Sequence, residues 1–209
     1  MTAIRDVDKK AMSGSGPLLS EKEKEALISD LLRCGAVKFG DFVLTSGKRS
    51  TYYVDIKQAS TDPAVLKKIA FYMARFIRKQ FGEARKSVEH IAGMELGAVP
   101  LATAVSLETG IHMLIIRKRK KEYGVGERVI GSFRGGENVV VVEDVVTTGG
   151  SSLDAVRVLR ESGLDVLVVI CVVDREEGGP EALQKEGVPL FSLVTAGDLL
   201  SHSDVSSGS

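Results

Sequence analysis

The stretch VVVVEDVVTTGGSS, residues 139–152, decides the fold class. Its consecutive valines indicate a strand buried on both faces, as in a parallel sheet, and we expect that strand over Asn138–Val142. Gly149 and Gly150 then form a turn, and a helix is expected from Ser151 to Glu161. A buried strand, a glycine turn and a helix together indicate an α/β fold with a central parallel sheet flanked by helices.

The alternation of strands and helices extends in both directions from this stretch. Further strands are expected at 90–92, 112–116 and 165–173, and helices at 20–33, 64–80 and 101–107. A hairpin is expected from strands at 37–44 and 51–56. We therefore predict one domain over residues 20–200, between a flexible leader at 1–19 and a flexible tail at 201–209.

The composition excludes several classes of protein. The chain has 209 residues, in which 28 Lys and Arg balance 28 Asp and Glu. Zero net charge argues against a nucleic-acid coat or a protein drawn electrostatically to membranes. No apolar run approaches the ~20 residues that span a bilayer, and the charged N-terminus is not a secretory signal. Cys34 and Cys171 are too far apart to indicate a disulfide framework or a zinc site. We expect a cytoplasmic protein without nucleic-acid or membrane partners.

The turn after the valine strand has the residues of a phosphate-binding site. Gly149 and Gly150 let the backbone approach an anion closely, and the following helix adds unpaired N–H groups and the positive end of its dipole. Thr147, Thr148 and Ser151 add hydroxyl donors. A tight capped turn would look similar, but the paired acids just before it favour the phosphate site. The chain has neither a Walker-type lysine here nor a dinucleotide-binding glycine motif.

Two acidic residues and two charged turns add further candidates. Glu143 and Asp144 repel phosphate, so we expect them to bind sugar hydroxyls beside it or to lie near a metal. The basic segment RKRKKEYGVG, residues 117–126, is either a solvated charge run or a loop that neutralises a polyanion. In the turn DREEGG, residues 174–179, Arg175 offers a planar fork for a carboxylate.

These motifs together resemble the type I phosphoribosyltransferases, and among them the orotate phosphoribosyltransferases. Residues 139–152 resemble the family's phosphoribosyl diphosphate (PRPP) signature, and DREEGG resembles the acceptor turn of the orotate enzymes. The hairpin at 38–47 and the loop at 93–100 are similar to segments that cover orotate and contact pyrophosphate. The basic segment matches the family's catalytic loop at five positions, namely Arg117, Lys118, Lys121, Tyr123 and Gly124.

The resemblance implies a type I phosphoribosyltransferase fold with a small N-terminal hood at about 20–56. It implies the conversion of orotate and PRPP to orotidine 5′-phosphate and pyrophosphate, Mg²⁺ as cofactor, and a homodimer that shares its catalytic loops. The implied catalytic residues are Lys121, Asp144 and Glu143, and the implied orotate-binding residues are Thr147, Arg175 and Phe39. The implied PRPP-binding residues are Arg117, Lys118, Lys121, Tyr123, Glu143, Asp144, Val145, Val146, Thr147, Thr148, Gly149, Gly150 and Ser151. No residue is assigned as a direct metal ligand.

The chain departs from the family pattern at two positions, and two other functions stay open. Thr45 and Gly97 stand where the family often has lysines, so positive charge is missing from the predicted diphosphate site. A phosphoribosyltransferase for another base should lack the matches at 117–123 and 174–179. A regulator with this fold should add a DNA-binding helix pair, whereas the sequence before Ala36 predicts one helix.

Overall fold

The computed structural model describes residues 18–43, 47, 49–82, 87–119 and 128–207. The predicted leader lies outside these residues up to Pro17, and Leu19 is already buried in the core. None of the described helices is both long enough and apolar enough to cross a membrane.

The described residues form a six-stranded sheet, a separate two-stranded sheet and seven helices. In chain order these are α1 (Glu21–Arg33), β1 (Val37–Val43), β2 (Arg49–Val54), α2 (Ile56–Thr61), α3 (Pro63–Phe81), β3 (His90–Met94), α4 (Ala98–Thr109), β4 (His112–Ile116), β5 (Val129–Ile130), β6 (Asn138–Val146), α5 (Gly150–Glu161), β7 (Asp165–Asp174), α6 (Gly179–Lys185), β8 (Leu190–Thr195) and α7 (Ala196–Ser207).

The large sheet has the order β5-β4-β3-β6-β7-β8, and its strands are parallel except β5, which pairs antiparallel with β4. Strand β6 lies at the centre of this sheet, and its valines are buried on both faces, as the sequence predicts. Val140 and Val142 pack into the core that contains α3 and α4, whereas Val139 and Val141 pack into the core that contains α5. The predicted α/β class with a flanked parallel sheet is confirmed.

The small sheet and α1 occupy the range that the sequence assigns to a hood. β1 and β2 pair antiparallel across the predicted hairpin, and Phe39 lies opposite Tyr52. α1 begins with the predicted capping box, in which the Ser20 side chain and the Glu23 carboxylate each accept the other residue's backbone N–H. The hood thereby has the helix and the hairpin that its sequence predicts.

Several boundaries differ from the sequence predictions. β6 continues to Val146, four residues beyond its expected end, because Val145 and Val146 prolong the apolar strand past the two acids. α7 ends at Ser207 and so extends into the range 201–209, where the sequence predicts a tail without secondary structure; the flexibility of that tail stays a prediction. Thr195 and Asp198 begin that helix by exchanging hydrogen bonds between side chain and backbone, a capping pattern that the sequence reading missed.

Asp62 starts the long helix α3, and its carboxylate accepts the N–H groups of Ala64 (2.9 Å) and Val65 (3.1 Å). Replacing it by alanine should lower the free energy of unfolding by about 1 kcal/mol, because two helix N–H groups lose their partner. Asp62→Asn retains the acceptor and is the control, so it should lose much less in urea unfolding. Equal losses for the two variants would contradict the capping account.

Candidate active site

The parallel strands bring the predicted site segments to one edge of the sheet. Met94 at the end of β3 lies beside Ile116 at the end of β4, and Val146 at the end of β6 lies beside Asp174 at the end of β7. The segments that follow these strands carry the loop at 93–100, the basic segment, the glycine turn and the acceptor turn. The carboxyl edge of a parallel sheet is where ligands bind in such folds.

The glycine turn has the geometry of an anion site. Gly149 has φ of +84°, a left-handed conformation that favours glycine, and α5 begins at Gly150 without a side chain capping its N-terminus. The backbone N–H groups of the first turn therefore face the strand edge without a capping acceptor. Thr148 and Ser151 are exposed and Thr147 is half-buried, so their hydroxyls lie around this helix start.

The acceptor turn packs directly onto the glycine turn. A β-carbon on Gly179 would overlap the Val146 side chain and would lie 2.8 Å from the Thr147 carbonyl oxygen. The Gly149 backbone is equally near, since a β-carbon there would lie 3.4 Å from Gly179 Cα. The carbonyl oxygen of Val146 also accepts the N–H of Arg175 (2.9 Å). The predicted phosphate turn and the predicted acceptor turn thus form one continuous surface.

The two predicted carboxylates point to opposite faces of β6. The strand extends to Val146, so successive side chains from Val141 to Asp144 alternate between the two faces of the sheet. Glu143 lies on the same face as Val141, which packs toward α5. Asp144 lies on the same face as Val142, which packs toward α4. Glu143 is 4% exposed and accepts a hydrogen bond from Ser152 Oγ (3.3 Å). Both acids therefore lie within β6, on opposite faces of the strand. A contact of Glu143 with substrate stays a prediction.

Burial changes the ionisation of Glu143. Loss of solvent around its carboxyl, helped by the negative charge of Asp144 and opposed by the Ser152 hydroxyl, raises its pKa to about 8. At neutral pH the carboxyl is mostly protonated, so it adds little negative charge to the site. Asp144 is then the acid of the pair that supplies a carboxylate at the edge of the sheet.

Asp144 lies in the angle between β6 and the start of α4. Its Oδ1 accepts the N–H of Val145 (2.8 Å), and a β-carbon on Gly97 would overlap its carboxylate. Gly97 therefore leaves the space that the Asp144 carboxylate occupies, and nothing in the structure explains the missing family lysine. Lys57 is a cation close to Asp144. Its hydrogen bond with Asp55 is the main cause that raises its pKa, and the negative charge of Asp144 adds to the shift. The sequence reading missed Lys57, which belongs to no recognised motif.

Arg175 connects the acceptor turn to the hood. Its guanidinium carbon lies 5.1 Å from the centre of the Tyr52 ring, and Nε is 3.1 Å from a carboxylate oxygen of Glu177. Within the part of the chain that the structure describes, its terminal nitrogens Nη1 and Nη2 have no hydrogen-bond partner. Phe39 pairs across the hairpin with Tyr52 and is exposed (37%). Its contact with orotate stays a prediction.

The first residues of the basic segment lie at the same edge. Arg117 is half-buried, and Lys118 and Arg119 are exposed. Lys121 and Tyr123 lie outside the described residues, as does Thr45 of the hairpin. Val145 is half-buried and Val146 is buried. The side chains of these two predicted PRPP residues therefore pack mainly against the protein rather than at the carboxyl edge of the sheet.

Comparisons with known proteins identify the family of the chain. Residues 56–190 match the family model of the phosphoribosyl transferase domain. The orotate phosphoribosyltransferase of Methanosarcina acetivorans is 53% identical over 180 residues, which cover 86% of this chain and 93% of that protein.

Solved structures show the same likeness. The orotate phosphoribosyltransferase of Mycobacterium tuberculosis H37Rv, solved in complex with PRPP, has a TM-score of 0.67 and 31% identity, with 85% of this chain and 98% of that chain covered. The UMP synthase of Leishmania donovani has a TM-score of 0.75 and 29% identity, with 88% of this chain but 39% of that longer chain covered. Together, the family match over residues 56–190 and the identity of 53% to a full-length relative establish that the chain belongs to the phosphoribosyl transferase family and, within it, to the orotate phosphoribosyltransferases.

Proposed function

We propose that this chain transfers the phosphoribosyl group of PRPP to orotate, giving orotidine 5′-phosphate and pyrophosphate. The observation that carries the proposal is the packing of Gly179 against Val146 and Thr147. This packing supports the proposal because the turn before Gly179 carries an arginine suited to a carboxylate and the turn it contacts begins a helix suited to a phosphate. Orotidine 5′-phosphate carries both groups on one molecule, so a site with both features at one edge fits this product.

The 5′-phosphate of PRPP would bind at the start of α5. The N–H groups that follow Gly149 and the hydroxyls of Thr147, Thr148 and Ser151 donate hydrogen bonds to it, and the helix dipole adds a favourable field. Asp144 accepts hydrogen bonds from the ribose hydroxyls. Glu143, from beneath the turn, holds Ser152 in the first turn of α5 and so supports the phosphate site from the opposite face.

Bond breaking at ribose C1 requires stabilisation of charge at two places. The C1–O bond to the diphosphate breaks and its electron pair leaves with pyrophosphate, while orotate N1 bonds to C1 and loses its proton to solvent. The ribose passes through a state resembling an oxocarbenium ion. The Asp144 carboxylate stabilises the positive charge on the ribose. Arg117, Lys118 and Lys121, with Tyr123, stabilise the negative charge that builds on the departing pyrophosphate.

Orotate would bind between the hood and the acceptor turn. Nε of Arg175 contacts the Glu177 carboxylate and donates a hydrogen bond to the Tyr52 hydroxyl. The two terminal nitrogens, Nη1 and Nη2, therefore remain for a ligand. They form the planar fork that pairs with a carboxylate, and Thr147 supplies a hydroxyl to the ring. Phe39, opposite Tyr52, covers the ring from the hood.

Mg²⁺ fits this donor set as a companion of PRPP. Among the described residues, no group of three or more His, Cys, Asp and Glu side chains could form a protein cage for a metal. Mg²⁺ is commonly held by one or two carboxylates, substrate phosphates and waters, and Asp144 is the carboxylate available here. When bound, the ion neutralises charge on the diphosphate.

Assembly and location follow from the same family membership. We propose a homodimer in which the basic segment of one subunit completes the site of the other, and a cytoplasmic enzyme. Two free cysteines, Cys34 half-buried and Cys171 buried, support a reducing compartment.

Acceptor choice tests the proposed reaction. With Mg²⁺ and PRPP, the purified protein should consume orotate, measured as loss of its ultraviolet absorbance. Uracil, hypoxanthine and guanine lack the carboxylate and leave Arg175 without its partner, so their kcat/KM should be lower by about a hundredfold or more. Faster turnover of uracil or of a purine would assign the chain to another acceptor.

Complementation tests the shared site. Lys121→Ala and Asp144→Ala should each be inactive, yet a mixed dimer has one site with both residues intact. Random exchange makes half of the dimers mixed, so the mixture should regain roughly a quarter of wild-type activity. A mixture of Lys121→Ala with itself, carried through the same exchange, is the control. Verified exchange with no recovered activity would show that each basic segment serves its own subunit.

A further inference from the structure

We propose that Arg128, anchored by Asp154, is a positioning residue that holds the backbone of Arg117 and Lys118 in place to bind the diphosphate of PRPP. Neither Arg128 nor Asp154 belongs to any of the motifs that the sequence indicates. The inference rests on the proposed function, since it assigns the diphosphate to the basic segment.

Arg128 forms two hydrogen bonds with the backbone of Arg117. The N–H of Arg117 donates to the carbonyl oxygen of Arg128 (2.8 Å), and Nε of Arg128 donates to the carbonyl oxygen of Arg117 (2.9 Å). The two residues lie just beyond the antiparallel pairing of β4 and β5, where Ile116 faces Val129. Both polar groups of the Arg117 backbone are thereby held by a single residue.

The backbone of Lys118 is held from two sides. Its N–H donates to Glu95 Oε1 (2.7 Å), and its carbonyl oxygen accepts a hydrogen bond from Arg128 Nη2 (3.2 Å). The Lys118 side chain is exposed and, among the described residues, forms no ion pair. A fixed backbone with an exposed ammonium limits the directions in which the cation can point. Such pre-organisation lowers the entropy lost when the side chain binds an anion.

Asp154 connects this arrangement to the phosphate-binding helix. Nη1 of Arg128 donates to Asp154 Oδ1 (3.0 Å) and Nη2 donates to Oδ2, so the pair is bidentate. The Arg128 side chain is 16% exposed, which distinguishes this pair from an ordinary surface ion pair. Asp154 lies in the second turn of α5, whose N-terminus is the proposed 5′-phosphate site. One arginine therefore fixes the first residues of the basic segment to helix α5 of the same subunit.

A positioning role predicts an effect that depends on the ligand. PRPP and pyrophosphate use the diphosphate subsite, whereas orotidine 5′-phosphate uses only the 5′-phosphate, ribose and orotate subsites. A pair that merely stabilised the fold would weaken all three ligands or none. Comparing the three affinities in one variant separates these cases.

The experiment uses Arg128→Ala, Arg128→Lys and Asp154→Asn in the full chain, with Mg²⁺ present and thermal unfolding as a check of folding. Calorimetry should show PRPP and pyrophosphate bound at least tenfold more weakly by Arg128→Ala, with orotidine 5′-phosphate affinity within twofold of wild type. Arg128→Lys and Asp154→Asn should lie between, because each keeps part of the hydrogen bonding. Arg160→Ala breaks the ion pair with Glu186 at the other end of α5 and should leave all three affinities unchanged.

Two results would overturn the inference. Unchanged affinity for PRPP and pyrophosphate in folded Arg128→Ala would show that the pair does not position the diphosphate residues. An equal loss for all three ligands would show a general structural role. Failure of the proposed function has a different signature, because wild-type protein would then fail to consume orotate whatever the variants bind.

Discussion

The close approach of two turns is the constraint on which the site depends. Gly179 has no side chain, so the acceptor turn can lie against Val146 and the Thr147 carbonyl oxygen. A β-carbon at this position would overlap the Val146 side chain, so a larger residue would separate the two turns. In the proposed function, contacts between the turns after two neighbouring parallel strands set the distance between the phosphate and the carboxylate of the ligand. In the same proposal, Tyr52 and Phe39 of the hood cover the two turns.

The fold and the location of the site follow from local patterns in the sequence. Consecutive valines, a glycine turn and a following helix predict a parallel sheet, which the structure has. That ligands bind at the carboxyl edge of this sheet stays a prediction. Strand length was harder to predict, because Glu143 and Asp144 look like the end of a strand when read as a pair of charges. The apolar Val145 and Val146 carry β6 onward instead. The alternation of side chains then sends the two acids to opposite faces, and burial leaves Glu143 mostly protonated.

Contacts between distant segments are absent from any local pattern. Arg128 and Asp154 are 26 residues apart, and Tyr52 and Arg175 are 123 apart. Each is an ordinary residue type in its own stretch. The partners meet only because the fold brings α5 to the residue before β5 and brings the hood to the residue after β7. The capping pair Thr195 and Asp198 is a different case. That spacing is local, and recognising it would have predicted α7 through the serine-rich end of the chain.

The central claim is that phosphate and orotate bind at separate ends of one rigid surface. Calorimetric titration of ribose 5-phosphate and orotidine 5′-phosphate into Gly149→Val and Arg175→Lys tests it most directly. Valine at the left-handed Gly149 distorts the phosphate turn, so both ligands should bind about tenfold more weakly or worse, given about 1.5–3 kcal/mol for each charge-assisted hydrogen bond lost. Arg175→Lys should weaken orotidine 5′-phosphate alone. Unchanged affinity for ribose 5-phosphate in a folded Gly149→Val protein would contradict the account.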